Sequence, residues 1–484
     1  MSQLVHDLYT PVQPADLRPL PEQVADQIRA LIARGTLRDG DRLPATRELA
    51  ERLGVNRGVL LKAIRALEQE GALRARVGSG ITVVATEREG VGRWEPSFSS
   101  AIQRVSESDG SPSREPIVAD FSRLAPDDRY FPYDRFAELL AETGRRNREL
   151  WQYADPHGLP ELRAEIARRL AETTGAPWTD ENVLVTSGAQ QGLDLLFKAF
   201  VDPGDLVAVE SPTYPGIIPL LRFYGARVAE LPVDGARRDL SALSGRSVKL
   251  VYVMPERHNP TGVTMDAEGR RRFLEAARAT GAVIVEDGYD APTSGLPSLS
   301  AAEPERVATL GSFSKELVPG FRLGWIAADR RIVRAVALAK QATDLQTPLP
   351  IQAAVRAFLA EGADREVRAR RAEETQARRR ALAAALARVL PEIPYLGGTP
   401  GQSLFWLLLP AGTSGREAAR RARENGVAVS PGIDFDPLGR DVAAIRLSVS
   451  RVPAEAILEG VARLARALWQ RESRPAGPVA IPTI

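Results

Sequence analysis

Lys315 stands in the stretch Gly311-Ser-Phe-Ser-Lys-Glu-Leu-Val-Pro-Gly-Phe-Arg-Leu-Gly-Trp325, just beyond the apolar run Val307–Leu310. A lysine amine at the end of a buried strand can form a Schiff base with a carbonyl cofactor. Arg322, seven residues on, is suited to a phosphate. Two more polar residues fall at equal intervals upstream: 28 residues separate Asn259 from Asp287, and 28 separate Asp287 from Lys315. Asp287 follows the run Ala282–Glu286, where a carboxylate could keep a pyridine nitrogen protonated by opposite charge and hydrogen bonding. Asn259, in His258-Asn-Pro-Thr-Gly262, offers an amide donor for a phenolate oxygen.

Small residues in Ser187-Gly188-Ala189-Gln190-Gln191 open a helix after the run Val183–Thr186, where free backbone N–H groups can meet a phosphate. Tyr214, after Leu206–Glu210, offers a ring to stack on a flat cofactor. Taken singly, each has a plainer reading: a surface lysine, a turn-capping aspartate, a packing tyrosine. Their joint order, each just past a strand, describes pyridoxal 5′-phosphate chemistry.

The elements that must position them alternate strand and helix, which argues for a mostly parallel sheet covered by helices, with ligands at the carboxyl ends of the strands. The strand candidates are 183–186, 206–210, 248–254, 282–286, 307–310 and 323–328. A long Arg/Ala/Glu helix over 365–390 leads to a smaller α+β lobe with strand candidates in SLFWLLLP and AAIRLSVS. Upstream, Val24, Ile28, Leu31 and Ile32 recur at helical spacing, a short helix spans 45–53, and Asn56 caps a third helix with Val59, Leu60, Ala63, Ile64 and Leu67 on its buried side. Two short strands flank Gly78-Ser79-Gly80, completing a winged helix–turn–helix pattern. Residues 1–16 read as a loose arm. Residues 85–117 are rich in Ser, Glu, Arg, Gly and Pro and read as a linker, with Trp94 and Phe98 able to dock on a neighbouring surface. The expected limits are 1–84 for the winged helix, 85–117 for the linker, 118–472 for the α/β domain with its small lobe from about 365, and 473–484 for a Pro-rich tail.

Composition excludes several classes. The 484 residues include no cysteine, so disulfides, thiolate zinc sites and cysteine nucleophiles are ruled out, and three histidines (His6, His157, His258) make a multi-histidine metal site or a serine triad improbable. We expect no metal. No apolar run reaches membrane-spanning length and the N-terminus lacks a secretory pattern, so the expected location is cytoplasmic. Net charge is +2 and decides nothing, but between Arg42 and Arg76 eight basic residues face four acidic ones, a surplus suited to DNA phosphates.

With SFSKxLxPGxRLGW, HNPTG and EDxYD in place, residues 118–470 resemble the class I/II aminotransferases of fold type I. By that resemblance Lys315 is the Schiff-base lysine and Asp287 the pyridinium partner. Asn259 and Tyr289 hold the phenolic oxygen, and Tyr214 stacks on the ring. Gly188, Ala189, Gln190, Ser312 and Arg322 hold the phosphate. Tyr153 in QYADPHGLPELR reaches the phosphate of a neighbouring subunit, implying a homodimer, and Arg446 in AAIRLS grips the α-carboxylate of an amino acid. The first 84 residues resemble the GntR-type winged helix–turn–helix, through GDRLPATRELAERLGVNRGVLLKAIRALEQEGAL. That resemblance puts Arg47, Asn56, Arg57, Gly58, Lys62, Arg76 and Gly78 on double-stranded DNA. The combined layout is that of the MocR subfamily of transcriptional regulators. It implies that pyridoxal phosphate or an amino compound acts as effector on DNA binding. HNPTG, where many members of that subfamily have glutamine in place of the asparagine, leaves transaminase turnover as the alternative.

Overall fold

The computed structural model describes residues 9, 12, 19–33, 36–37, 40–76, 80–84, 99–105, 116–288 and 295–469. Gly78, Tyr289, Trp94, Phe98 and the tail lie outside them. The chain divides into two compact units, Met1–Ser97 and Phe98–Ile484.

In the first unit α1 (Leu20–Ala33), α2 (Thr46–Arg52) and α3 (Arg57–Gln69) pack on one apolar cluster, and β1 (Leu73–Arg76) pairs antiparallel with β2 (Gly80–Val83). Asn56 caps α3 by accepting from the Val59 N–H at 2.9 Å, and Leu60, Ala63, Ile64 and Leu67 face inward at the 3–4 residue period. Gly54, with φ +66°, ends α2 where a side chain would be strained. The loose-arm reading of the first residues needs correction. Tyr9 and Val12 are buried in this core, and the Val12 N–H donates to the Leu53 carbonyl at 3.0 Å. Two apolar side chains in a polar stretch are too few to register as a pattern, yet each gains by leaving water.

The second unit opens with α4 (Ser100–Gln103), capped by Ser99. It lies within the stretch read as linker, and Arg104 anchors it to this unit by donating to the carbonyls of Arg222 and Phe223 at 2.9 and 2.8 Å. β3 (Ala119–Asp120), α5 (Tyr133–Arg146) and α6 (Pro160–Thr174) precede the main sheet. Its strands are β4 (Val183–Thr186), β5 (Leu206–Ser211), β6 (Arg227–Asp234), β7 (Arg237–Arg238), β8 (Leu250–Val253), β9 (Val283–Asp287), β10 (Val307–Ser312) and β11 (Gly324–Ala327). They lie in the order β4-β11-β10-β9-β8-β5-β6-β7. The pairs β10/β9, β9/β8, β8/β5 and β5/β6 are parallel, while β11 runs antiparallel to both β10 and β4. Thus β4, β5, β6, β8, β9 and β10 all end on one edge. Unbroken burial along β4, β8, β10 and β11 is what a sheet covered on both faces requires. Between β4 and β6 run α7 (Ala189–Phe200) and α8 (Ile217–Phe223).

A small lobe follows the helix Ala363–Val389. Its sheet orders β12 (Tyr395–Gly397), β13 (Leu404–Leu408), β16 (Ala444–Ser448) and β15 (Ser430–Pro431), and β14 (Val427–Ala428) pairs with β3. That last pairing threads residues 119–127 past the small lobe and along the edge where the large sheet ends. Among the described residues no helix is long and apolar enough to cross a membrane.

Candidate functional site

The edge of the large sheet is built from tight backbone. Gly188, the N-cap of α7, has φ +95°, and a Cβ there would lie 2.8 Å from Nη2 of Arg322. Arg322 is itself left-handed and donates Nη2 to the Ser187 carbonyl at 3.1 Å. A Cβ at Gly324 would meet the Gly188 carbonyl carbon and Ala189 N at 2.8 and 2.9 Å. Beside them Ser312 Oγ contacts Ser314 Oγ at 2.8 Å and accepts the Ser314 N–H at 3.0 Å. Helix N–H groups, a guanidinium and two hydroxyls thus surround a cradle that only glycine leaves open, a donor set of the kind that suits an anion.

Tyr214 lies across this cradle, its hydroxyl 3.4 Å from Gln190 Oε1, while Gln190 Nε2 donates to the Gly216 carbonyl at 2.7 Å. The phenol is pushed up to about 12, first by burial and then by the carboxylate of Asp287, with Arg322 pulling the other way. Tyr214, Asp287 and Arg322 therefore share one electrostatic neighbourhood.

Asp287 ends β9, opposite Leu310 of β10, and is 3% exposed. Its Oδ2 accepts the Tyr252 hydroxyl at 2.5 Å. Tyr252 is wholly buried on β8; burial, and then Asp287, raise its hydroxyl far above the ordinary value, so it remains a donor. That hydroxyl gives the Asp287 carboxylate a fixed donor on one oxygen. Tyr252 escaped the sequence reading because a tyrosine inside VKLVYVM reads as core.

Lys315 sits on the short helix Phe313–Glu316, half-buried, with Nζ hydrogen-bonded to the Leu124 carbonyl at the wall of a cavity of about 280 Å³. Arg446, on the central small-lobe strand β16, is 6% exposed and reaches across to the large sheet's edge. Its Nη1 donates to Asn259 Oδ1 at 3.0 Å, and its Nη2 to the Ser122 carbonyl at 2.6 Å and to Ser430 Oγ at 3.0 Å. The guanidinium also lies 4.9 Å from the Phe435 ring. Tyr153 stands apart, 86% exposed. A glycine-lined anion cradle, a buried carboxylate with its own donor and an amine at a cavity wall fit pyridoxal phosphate.

Beneath the Asn259 turn lies a buried cluster that sequence reading did not find. Glu210 at the end of β5 accepts from Arg238 Nε and from the Met254 N–H (2.7 Å), and lies 3.4 Å from His258 Nε2. His258 Nδ1 is 2.7 Å from Thr261 Oγ1. Burial pulls the His258 imidazole well below its ordinary value, the Arg238 charge adds to this, and a bond with the Pro212 backbone opposes it. The folded state therefore keeps His258 neutral, whereas the unfolded chain protonates it below about pH 6.5. The unfolded state then binds more protons, so stability falls as pH drops through that value, by up to about 1.4 kcal/mol per pH unit. His258→Gln will flatten the slope, checked by denaturant unfolding between pH 7 and pH 5. Identical slopes in the two proteins would refute the assignment.

In the first unit Arg47, Asn56, Arg57, Gly58 and Lys62 are all exposed. Arg42, Arg47, Arg57, Lys62, Arg65 and Arg74 are exposed and have no carboxylate within ion-pair reach among the described residues, whereas Arg29 pairs with Glu70 and Asp26 and Arg52 with Glu48. Uncompensated cations around a capped helix are what a DNA phosphate needs. Arg76 ends β1.

Residues 129–464 match the family described as aminotransferase class I and II, and residues 20–83 match the bacterial regulatory proteins of the gntR family. The chain is 32% identical over 468 residues to the HTH-type transcriptional regulator TauR of Rhodobacter capsulatus, covering 93% of this chain and 96% of that one. It is 33% identical over 362 residues to the probable rhizopine catabolism regulatory protein MocR of Rhizobium meliloti, covering 71% and 72%. Among solved structures, the α-aminoadipate aminotransferase LysN from Thermus thermophilus, complexed with N-(5′-phosphopyridoxyl)-L-leucine, matches with a TM-score of 0.69 and 33% identity over 77% of this chain and 97% of that one.

Proposed function

The chain belongs to the MocR-like transcriptional regulators, in which a gntR-family DNA-binding domain is fused to a pyridoxal-phosphate-dependent class I and II aminotransferase domain, and on that premise we propose that its C-terminal part senses an amino compound, or the cofactor itself, and so sets the affinity of residues 1–84 for operator DNA. When bound, pyridoxal phosphate supplies an electrophilic carbonyl that captures amines. Within 118–472, Lys315 attaches it, and Gly188, Ala189, Gln190, Ser312 and Arg322 hold its phosphate. Asp287, backed by Tyr252, pairs with its ring nitrogen. Asn259 and Tyr289 hold its phenolic oxygen, Tyr214 covers its face, and Arg446 takes the effector's carboxylate. The exposure of Tyr153 supports a homodimer in which it reaches the partner's phosphate. Arg47, Asn56, Arg57, Gly58, Lys62, Arg76 and Gly78 form the DNA face, and the working location is the cytoplasm.

The observation that carries the regulator reading is the set of exposed cations around α3 that have no carboxylate partner among the described residues, which a vestigial module has no reason to keep. Coupling requires the effector to bind the DNA-competent and DNA-incompetent states unequally. The test is binding to a duplex carrying the region upstream of the protein's own gene. Amino compounds will shift that affinity by roughly 5–150-fold when cofactor is loaded. Arg57→Ala with Lys62→Ala will weaken it about 10–100-fold and flatten its salt dependence. Affinity indifferent to both would overturn the reading. Asn259 in place within HNPTG favours a second activity, turnover of amino and keto acids, which a multiple-turnover assay decides.

A further inference from the structure

Resting on that reading, we propose that the amino compound taken at Lys315 carries a second, distal anionic group, and that Arg371 is the residue that holds it. Arg371 projects from the helix Ala363–Val389 and lines the same cavity as Lys315. Its Nε donates to the Asp127 carbonyl at 3.0 Å and its Nη1 to the Glu316 carbonyl at 2.8 Å, while its Nη2 is buried and meets no acceptor among the described residues.

The other charges around this cavity are largely matched. Asp127 is held by Arg378 and Arg129 at 2.7 and 2.8 Å, Glu374 by Arg378 at 3.0 Å, Glu316 by Arg169 at 2.6 Å, and Arg368 by Asp364 at 2.9 Å. Arg371 touches only carbonyls, and among the described residues no carboxylate lies within ion-pair reach of it. Burial pulls this half-buried guanidinium below its ordinary value, and the charges of Asp127 and Asp128, acting without direct contact, oppose that only in part, so a bound anion would relieve the remaining desolvation cost.

Position supplies the second argument. The segment Ser122–Asp127 holds three cations on carbonyls spaced along it: Arg446 on Ser122, Lys315 on Leu124 and Arg371 on Asp127. Read along the segment, they meet the α-carboxylate, the amine and the far end of a linear acidic amino acid in that order. A neutral side chain would leave the buried Nη2 of Arg371 without an acceptor, so the site would discriminate against it.

The test is a titration of the cofactor-loaded protein, followed by the cofactor's absorption, with L-glutamate and L-2-aminoadipate against the uncharged L-glutamine and L-norleucine. The acids are expected to bind about 10–100-fold tighter than the uncharged compounds, as a charge-assisted hydrogen bond gained or lost implies. Arg371→Gln will remove that preference while leaving the uncharged compounds within about twofold, and Arg371→Lys will restore part of it. Equal affinity for acids and neutral compounds in the wild-type protein, or a preference that survives Arg371→Gln, overturns this inference and leaves the sensing reading intact. If no amino compound of either kind perturbs the cofactor, the sensing of amino compounds falls with it.

Discussion

Replacing Lys315 with alanine will abolish the cofactor's visible absorption band and its trapping by borohydride, and operator affinity will cease to respond to amino compounds. The expectation follows from chemistry that only an amine supplies. A carbonyl cofactor is retained covalently through nitrogen, and among the described residues no other lysine lines the cavity at the end of β10. The variant should fold. Lys315 is half-buried and bonds to a carbonyl that water can satisfy in its place, so the stability change is about 1 kcal/mol or less. Lys315→Arg serves as a control, because it keeps the charge and lacks the nucleophile. An absorption band of wild-type intensity in the alanine variant would refute the assignment of Lys315.

The second large effect concerns stability. Glu210→Leu will cost about 3–5 kcal/mol, because it strands the buried guanidinium of Arg238 and takes the acceptor from the Met254 N–H. Burial pushes the Glu210 carboxyl up while Arg238 and Met254 draw it back, so each partner makes the other tolerable. The double variant Glu210→Leu, Arg238→Met should recover most of the loss, since an apolar pair of similar volume often replaces a buried ion pair without penalty. The readout is the unfolding free energy of four proteins: the wild type, the singles Glu210→Leu and Arg238→Met, and the double. A double variant as unstable as the sum of the singles would show that the pair is not a coupled unit.

The sequence made the strand-end residues legible because they are local: Lys315, Asp287, Asn259 and Tyr214 each follow an apolar run within a few positions. The α3 cap and its buried stripe were legible for the same reason. What escaped required partners distant in sequence. Arg238 and Glu210 meet only because β5 and β6 pair and β7 folds back on β6. Ser122 and Leu124 lie in a stretch without periodicity and matter through their carbonyls, which no side-chain pattern reveals. Arg371 is one arginine among many on a helix charged on every side. β6 itself was missed, since Arg227–Asp234 mixes charges and a proline with few buried positions.

Under the roles proposed for Arg446 and Asn259, the bond between them would make two concentrations interdependent. A carboxylate that recruits Arg446 withdraws a donor from Asn259 Oδ1, and the amide is then free to turn toward another partner. If that exchange alters the hold on the cofactor by some factor, cofactor must alter the hold on the carboxylate by the same factor. A promoter governed through such a site behaves as a logical conjunction rather than a dial for one metabolite. On the proposed reading it would register the amino compound only to the extent that cofactor supply permits, so that scarcity of either signal would be read as scarcity of both.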